Sequence, residues 1–301
     1  MSELAPEGAD RFRPRLLGLA YRMLGDVDEA EDVVQEAFLR WHVADQEAIR
    51  TPEAWLVTVA TRLAVDRLRR LATERVSYPG PWLPEPVRTE SAFMPGAIAD
   101  TDHHAELASD LSVALLVLLE RLAPEERAAF LLREVFDTAY ADIARILERS
   151  PDAVRQMVHR ARTRVRTERA RVVTNPAEHE RLLQSFVEAL TADDVEGVVA
   201  LLAPDVVLAS DGGGRARAAR NWLSGRDPVS RFLLGVRRKF AAAYAHRIRY
   251  LNGVPALITF DHATIVSTMT LEITGDHIRA IHIMRNPDKL RHVLDSTVAL
   301  Q

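Results

Sequence analysis

The chain has 301 residues, enough for more than one hydrophobic core, and its 48% hydrophobic and 27% charged residues are the balance of an ordinary globular protein. It contains no cysteine, which excludes disulfides, thiolate metal sites and thiol redox chemistry, and its ten histidines never fall at HxxxH or HExxH spacing. The net charge of −4 argues against a protein that coats nucleic acid unaided, and the acidic N-terminus without an apolar segment points to a cytoplasmic protein with no membrane contact.

Residues 8–75 carry helical periodicity broken at Gly25-Asp26 and at Arg50-Thr51-Pro52. Between Asp28 and Trp41, the residues Ala30, Val33, Val34, Ala37, Phe38 and Trp41 recur at the spacing of a buried stripe, leaving Glu31, Asp32, Gln35 and Glu36 on the other face. A solvated acidic face accounts for these letters by itself. Thr51 reads as the N-cap of the next helix, with Pro52 in its first turn. Trp55, Leu56, Val59, Ala60 and Leu63 are expected to point inward, and Thr61, Arg62, Asp66 and Arg69 outward, followed by Arg70. Such a face either holds unstacked single-stranded bases or only complements the helix dipole.

Residues 76–104 lack sustained periodicity and read as a linker. They hold the stretch YPGPWLPEP (Tyr78 to Pro86), then Met94-Pro-Gly96 and the adjacent His103 and His104. Four prolines keep such a stretch extended at small entropic cost, and Trp82 on it suits docking into a groove. A plain spacer whose Trp packs on its own neighbours is the alternative.

Residues 105–172 are helical again. A helix is expected from Pro124, a short one over Tyr140 to Leu147, and a three-residue turn over Glu148 to Ser150. Ser150 then caps a further helix with Pro151 at its first position, a helix-turn-helix pattern. Val154, Met157, Val158, Ala161 and Val165 share its buried arc; Arg155, Gln156, His159, Arg162, Thr163 and Arg166 lie opposite. That face suits base edges in a major groove, or is a solvated charged face. Residues 155–171 hold seven arginines against one acid, Glu168.

Asn175-Pro176 is a stop. Beyond it two helices (177–190 and 192–202) precede a strand at 205–210, the turn Asp211-Gly212-Gly213-Gly214, and strands at 256–260, 264–273 and 277–284. Asn252-Gly253 and Gly275-Asp276 read as hairpin turns. Helices followed by an antiparallel meander make an α+β domain over 177–295. Asp211 reads as a turn residue that caps backbone N–H groups. Asp211, Asp261, His262 and His282 are the candidate pocket acids and bases, but no acid–base pair can be placed in one pocket, and no catalytic residue, metal or cofactor is assigned.

The runs DEAEDVVQEAFLRW, AWLVTVATRLAVDRLR, LAPEERAAFLLREVF, ADIARIL and SPDAVRQMVHRARTRVR together resemble, in order and spacing, the extracytoplasmic-function (ECF) sigma factors of bacterial RNA polymerase. The resemblance implies a multidomain chain: an all-α region 2 bundle, an all-α region 4 helix-turn-helix and the α+β domain. It implies that Asp32, Gln35, Glu36 and Phe38 meet the clamp helices of the polymerase largest subunit, with the flap as a further contact. It also implies that Thr61, Arg62, Asp66, Arg69 and Arg70 read the minus-ten element as single strand. Arg155, Gln156, His159, Arg162 and Arg166 would enter the major groove of the minus-thirty-five element.

Residues 177–295 resemble the SnoaL-like branch of the NTF2-like fold, a curved sheet closing a cone. YPGPWLPEP, DGGG and Asn286-Pro287-Asp288-Lys289-Leu290 are similar to those of the SigJ-like group, in which this domain is fused to the sigma factor. Tyr78, Trp82, Leu83, Pro84 and Glu85 are expected to pack against the Asp211, Gly212, Gly213 and Gly214 turn and the 286–290 segment. The implied function is promoter-specific initiation, controlled in cis where a separate anti-sigma protein would otherwise act, with room for a small ligand in the pocket. Two alternatives stand: a ligand-sensing helix-turn-helix regulator that binds duplex DNA alone, and a pocket enzyme with a DNA-binding appendage.

Overall fold

The computed structural model describes residues 9–89, 112–169, 175–240 and 244–293, with backbone alone over 166–169. The Met94-Pro-Gly96 turn, the His103 and His104 pair, Arg171 and the domain limits 8, 105, 172 and 295 lie outside the described residues. The chain divides into two compact units, one taking described residues 9–76 and 115–167, the other 77–89, 112–114, 168–169 and those from 175 onward.

The first unit is helical: α1 (Arg13–Leu24), α2 (Val27–Val43), α3 (Pro52–Glu74), α4 (Val113–Leu119), α5 (Pro124–Glu134), α6 (Tyr140–Leu147) and α7 (Pro151–Arg169). Local chemistry sets the ends. Gly25 closes α1 in the left-handed region at φ +67°, and Asp26 caps α2 by accepting the Glu29 N–H at 3.0 Å. Thr51 stands before α3 but its side chain makes no capping bond, so the proline at the first turn carries that start alone. Glu148 takes the left-handed conformation at φ +55°, and Ser150 Oγ accepts the Ala153 N–H at 3.2 Å, which closes the helix-turn-helix corner.

In α3 the buried face is Leu56, Val57, Ala60, Thr61, Ala64, Val65 and Leu68; Val59 and Leu63, expected inward, are half-buried. Of the arc expected for α7, Val154, Val158, Ala161 and Val165 are buried and Met157 is half-buried. Helix α5 packs on α1 and α3, and α6 on α3. Arg127, 3% exposed, ties this packing together: its guanidinium donates to the Met23 carbonyl at the end of α1 and to Glu120 at 2.7 Å, and Glu120 also pairs with Arg75.

The second unit builds a six-stranded sheet in the order β2-β1-β6-β5-β4-β3. Its strands are β1 (Leu202–Asp211), β2 (Leu223–Ser224), β3 (Tyr244–Leu251), β4 (Val254–Asp261), β5 (Thr264–Thr274) and β6 (His277–Met284). Strands β4 to β6 form the expected antiparallel meander and β3 extends it; Asn252-Gly253 turns between β3 and β4, and Gly275-Asp276 between β5 and β6. The first strand departs from it: β1 pairs parallel with β6, so the sheet is mixed. Register shifts in β1, between Thr259 and Phe260, and between Glu272 and Ile273 bend the strands into a cone.

Helices α8 (Pro176–Thr191), α9 (Val195–Leu201) and α10 (Arg226–Phe240) close one face of this sheet. Leu183, Phe186, Val198, Val229 and Leu234 meet Leu208, Leu271 and Ile281 there. Helix α9 starts later than expected because Asp193 turns left-handed at φ +56° and Asp194 caps by accepting the Gly197 N–H at 2.9 Å. Helix α10 and strand β3 were not expected from the sequence. Among the described residues, no helix is long and apolar enough to cross a membrane.

Candidate functional site

In the second unit, period-two alternation along β1 sends Ser210 to the helix-covered face of the sheet and Asp211 to the other. The Asp211 carboxylate, 0% exposed, is the hub of a polar cluster. Its Oδ1 accepts the Tyr78 hydroxyl at 2.6 Å and the Gly213 N–H at 3.0 Å; its Oδ2 accepts the Leu83 N–H at 2.9 Å and the Lys289 ammonium at 2.8 Å. Four donors fill the lone-pair sites of an ionised carboxylate. Asp211 is thus a turn residue and a linker anchor at once.

Lys289 completes the grip. Its ammonium also donates to the Leu83 carbonyl at 2.6 Å and lies 4.0 Å from the Trp82 ring centroid and 5.2 Å from that of Tyr78. A cation–π contact in so dry a setting is worth about 2 kcal/mol. Asn286 Nδ2 donates to the Tyr78 hydroxyl at 3.2 Å, and Asn286 Oδ1 accepts the Asp288 N–H at 3.1 Å, capping the short helix α11 (Pro287–Leu290). Leu83, Pro84 and Glu85 are buried, with Glu85 Oε1 3.4 Å from His292 Nδ1. Val87 exchanges backbone and side-chain bonds with Asn252 at the β3–β4 turn, at 2.8 and 3.0 Å.

Two glycines of the turn are required by this geometry. Gly213 sits at φ +58°, and a Cβ there would come within 2.3 Å of Asn286 Nδ2; a Cβ on Gly214, at φ +72°, would meet Pro79 at 2.9 Å. The Gly212 carbonyl accepts the N–H groups of Arg215 and Ala216, each at 2.9 Å, and Arg215 pairs with Asp288 at 2.9 Å. Leu290, the last residue of α11, is buried.

The other pocket candidates do not assemble with Asp211. Asp261 and His262 lie at the β4–β5 turn, His262 almost fully exposed, whereas His282 is buried on β6 with Glu272 3.5 Å away. Among the described residues, no three His, Cys, Asp or Glu residues converge as metal ligands.

In the first unit, Asp32, Gln35 and Glu36 line a groove of about 570 Å³ between α2 and α3, with Leu39, Asp66, Arg67 and Arg70. Asp32 is held by Arg67 at 2.8 Å. Arg62 spans to α6: it donates to the Ile146 and Arg145 carbonyls at 2.9 and 3.0 Å and pairs with Glu148 at 3.1 Å. Arg69 pairs with Asp66 at 2.8 Å and with Glu125 of α5, and Arg70 stands 3.5 Å from Glu29. On α7, Gln156 and His159 are exposed, Arg155 pairs with Asp152, and Arg162 pairs with Glu134 at 2.6 Å.

Residues 9–74 match the Sigma-70 region 2 family and residues 112–165 the Sigma-70, region 4 family. The ECF RNA polymerase sigma factor SigJ of Mycobacterium tuberculosis is 39% identical over 292 residues, covering 93% of this chain and 91% of that protein. This chain belongs to the ECF RNA polymerase sigma factors. The probable ECF sigma factor SigI of the same organism is 30% identical over 283 residues, 92% of each chain. A crystal structure of Mycobacterium tuberculosis SigJ matches with a TM-score of 0.73 at 33% identity, covering 94% of this chain and 97% of that one. The SigJ-like resemblance therefore runs past regions 2 and 4 through the C-terminal domain.

An ECF sigma factor binds RNA polymerase core and promoter DNA to start transcription at chosen promoters, and that is the activity of this chain. Two of its expected contact residues need correction. Phe38 is 4% exposed and belongs to the α2 core stripe, so the surface offered there is Asp32, Gln35 and Glu36 beside the exposed Leu39. Thr61 is 0% exposed within the α3 core face and cannot meet a base from there. Arg166 lies where only backbone is described.

The C-terminal domain of this sigma factor also buries His179 (8% exposed) and His282 (4% exposed), and burial lowers both imidazoles from the ordinary 6.5 to about 4. Between these values the unfolded chain binds more protons than the folded one. Stability is therefore full above pH 6.5 and falls as pH drops toward 4, by about 1.4 kcal/mol per pH unit for each histidine. Urea denaturation at pH 7 and pH 5 checks this, and His179→Leu should lose its share of the difference.

Proposed function

We propose that the C-terminal domain of this sigma factor governs promoter recognition in cis by gripping the linker between regions 2 and 4, and that it works as a clamp rather than as a catalyst. The observation that carries this reading is the Asp211 carboxylate, which takes the Tyr78 hydroxyl at 2.6 Å and the Leu83 N–H at 2.9 Å. A sigma factor needs its two DNA-reading regions about as far apart as the two promoter elements, and a domain that fixes the linker biases that spacing.

Asp32, Gln35 and Glu36 are the proposed contacts with the clamp helices, and region 4 offers the surface for the flap. Arg62, Arg69, Asp66 and Arg70 are proposed for the minus-ten strand, and Arg155, Gln156, His159, Arg162 and Arg166 for the minus-thirty-five groove. Arg62, Arg69 and Arg162 are bonded within the helical unit, which supports a resting state that opens before promoter engagement. The cavity beneath α10 is the place where a small ligand would act on the grip.

Run-off transcription with purified core polymerase tests this. Trp82→Ala, and deletion of residues 177–301, should each change promoter-specific output by roughly fivefold or more, the lower range of ordinary coupling between sites. Unchanged output from both would refute control through the linker.

A further inference from the structure

The second unit holds a half-open cavity of about 510 Å³, inside the roughly 300–1,000 Å³ range of small-molecule pockets. Val187, Leu190, Phe232, Leu257 and Met269 give it an apolar body. Its charged lining has one sign: Arg217, Arg231, Arg237, Lys239 and Arg285, with no carboxylate. None of these five is ion-paired among the described residues, and the bonds given to Arg231, Arg237 and Arg285 go to backbone carbonyls. The neighbouring Arg238, by contrast, pairs with Asp193 at 2.9 Å.

Arg237 is the deciding residue. Its Nη2 reaches the Thr191 carbonyl only at 3.4 Å, and its Nε and Nη1 are buried without any hydrogen-bond partner. The side chain as a whole is half-buried, and these two nitrogens, shielded from water and without an acceptor, cost free energy that an anion would restore. Ser210 Oγ, in the same lining, is likewise buried without a partner. Burial and then the Arg237 charge lower the His246 pKa below its ordinary value.

We infer that this cavity binds an apolar organic carboxylate, with its head group on Arg237 and its hydrocarbon among Phe232, Leu257 and Met269. The planar guanidinium fork matches a carboxylate, and the apolar lining suits a single charge on a long body. The inference rests on reading the cavity as a ligand site. It also gives the ligand a route to the linker: Ser210 and Arg285 line the cavity, while the adjoining Asp211 and Asn286 hold Tyr78. The Arg285 and Asn286 N–H groups both donate to the Asp211 carbonyl, at 2.7 and 2.9 Å.

Calorimetric titration of the full-length protein with decanoate, decanol, decyltrimethylammonium and inorganic phosphate tests it. Decanoate should bind, decanol roughly tenfold or more weakly, and the cation and phosphate weaker still, because a charge-assisted bond to a buried guanidinium is worth that factor. Arg237→Gln should cut decanoate affinity by a similar factor and leave decanol unchanged; should that variant not fold, Arg237→Lys, which loses the fork but keeps the charge, should show a smaller loss. Equal affinity for decanoate and decanol, or decanoate affinity indifferent to Arg237, would overturn the carboxylate and leave the cavity a ligand site. Binding of none of the probes would overturn both.

Discussion

Asp211→Ala should lower the stability of the C-terminal unit by about 3–5 kcal/mol, the ordinary cost of removing one partner from a buried ion pair. The carboxylate is 0% exposed and Lys289 is 6% exposed, so the variant strands an ammonium in a dry site. The same change removes the acceptor of the Tyr78 hydroxyl and of the Leu83 N–H, so the linker should detach together with the loss of stability. Urea denaturation measures the first effect. Limited proteolysis within residues 77–89, protected in the parent and cut in the variant, measures the second. Adding Lys289→Met should recover part of the stability but none of the protection, because the stranded charge is then gone while the anchor is still missing.

The second large effect belongs to the helical unit. Arg127→Ala should cost about 3 kcal/mol or more, again because a hydrogen-bonded buried charge is deleted from one side only. Arg127 is 3% exposed and joins the last turn of α1 to Glu120, and Arg75, the remaining partner of Glu120, has its pKa pushed down by burial. Without Arg127 the Met23 carbonyl loses its donor and Glu120 keeps a single cation. Both bonds leave one nitrogen, Nη1, so Arg127→Lys, whose ammonium can also donate twice but on a differently shaped stem, should recover part of the loss. Amide hydrogen exchange over α1 and α5 locates the loosening.

Helix ends in this protein were readable because they are local. Gly25, Pro124 and the Ser150-Pro151 pair each act within one turn, and the structure places boundaries at them. Thr51 shows the limit, since a residue of the right type makes no capping bond. Strand β3 escaped because its exposure follows no clean alternation, as expected at the edge of a sheet where both faces are partly open. The parallel pairing of β1 with β6 joins positions more than 70 residues apart and has no signal of its own in either segment.

The polar cluster divides the same way. That Asp211 would cap the following glycines was legible from two residues' separation, and its bond to the Gly213 N–H is of that kind. Its bonds to Tyr78 and Leu83 cross 133 and 128 residues, and only likeness to a family pointed there. Periodicity put Phe38 in the core stripe, where the structure also has it, but put Thr61 on the outer face, although it is 0% exposed. The unsatisfied guanidinium of Arg237 could not be anticipated at all, because it is defined by what does not surround it.

The arginines of the helical unit leave one more consequence. Arg62, Arg69 and Arg162 already have oxygen partners in their own chain, so on the proposed DNA contacts a phosphate competes with a carboxylate for each of them. On those proposed contacts promoter binding becomes in part an exchange of anions, and fewer counterions are set free than the number of arginines would suggest. Affinity for DNA should fall less steeply with added salt than for a variant in which Glu125, Glu134 and Glu148 are glutamines. Self-pairing and the proposed promoter pairing draw on one set of guanidinium groups, and each weakens the other.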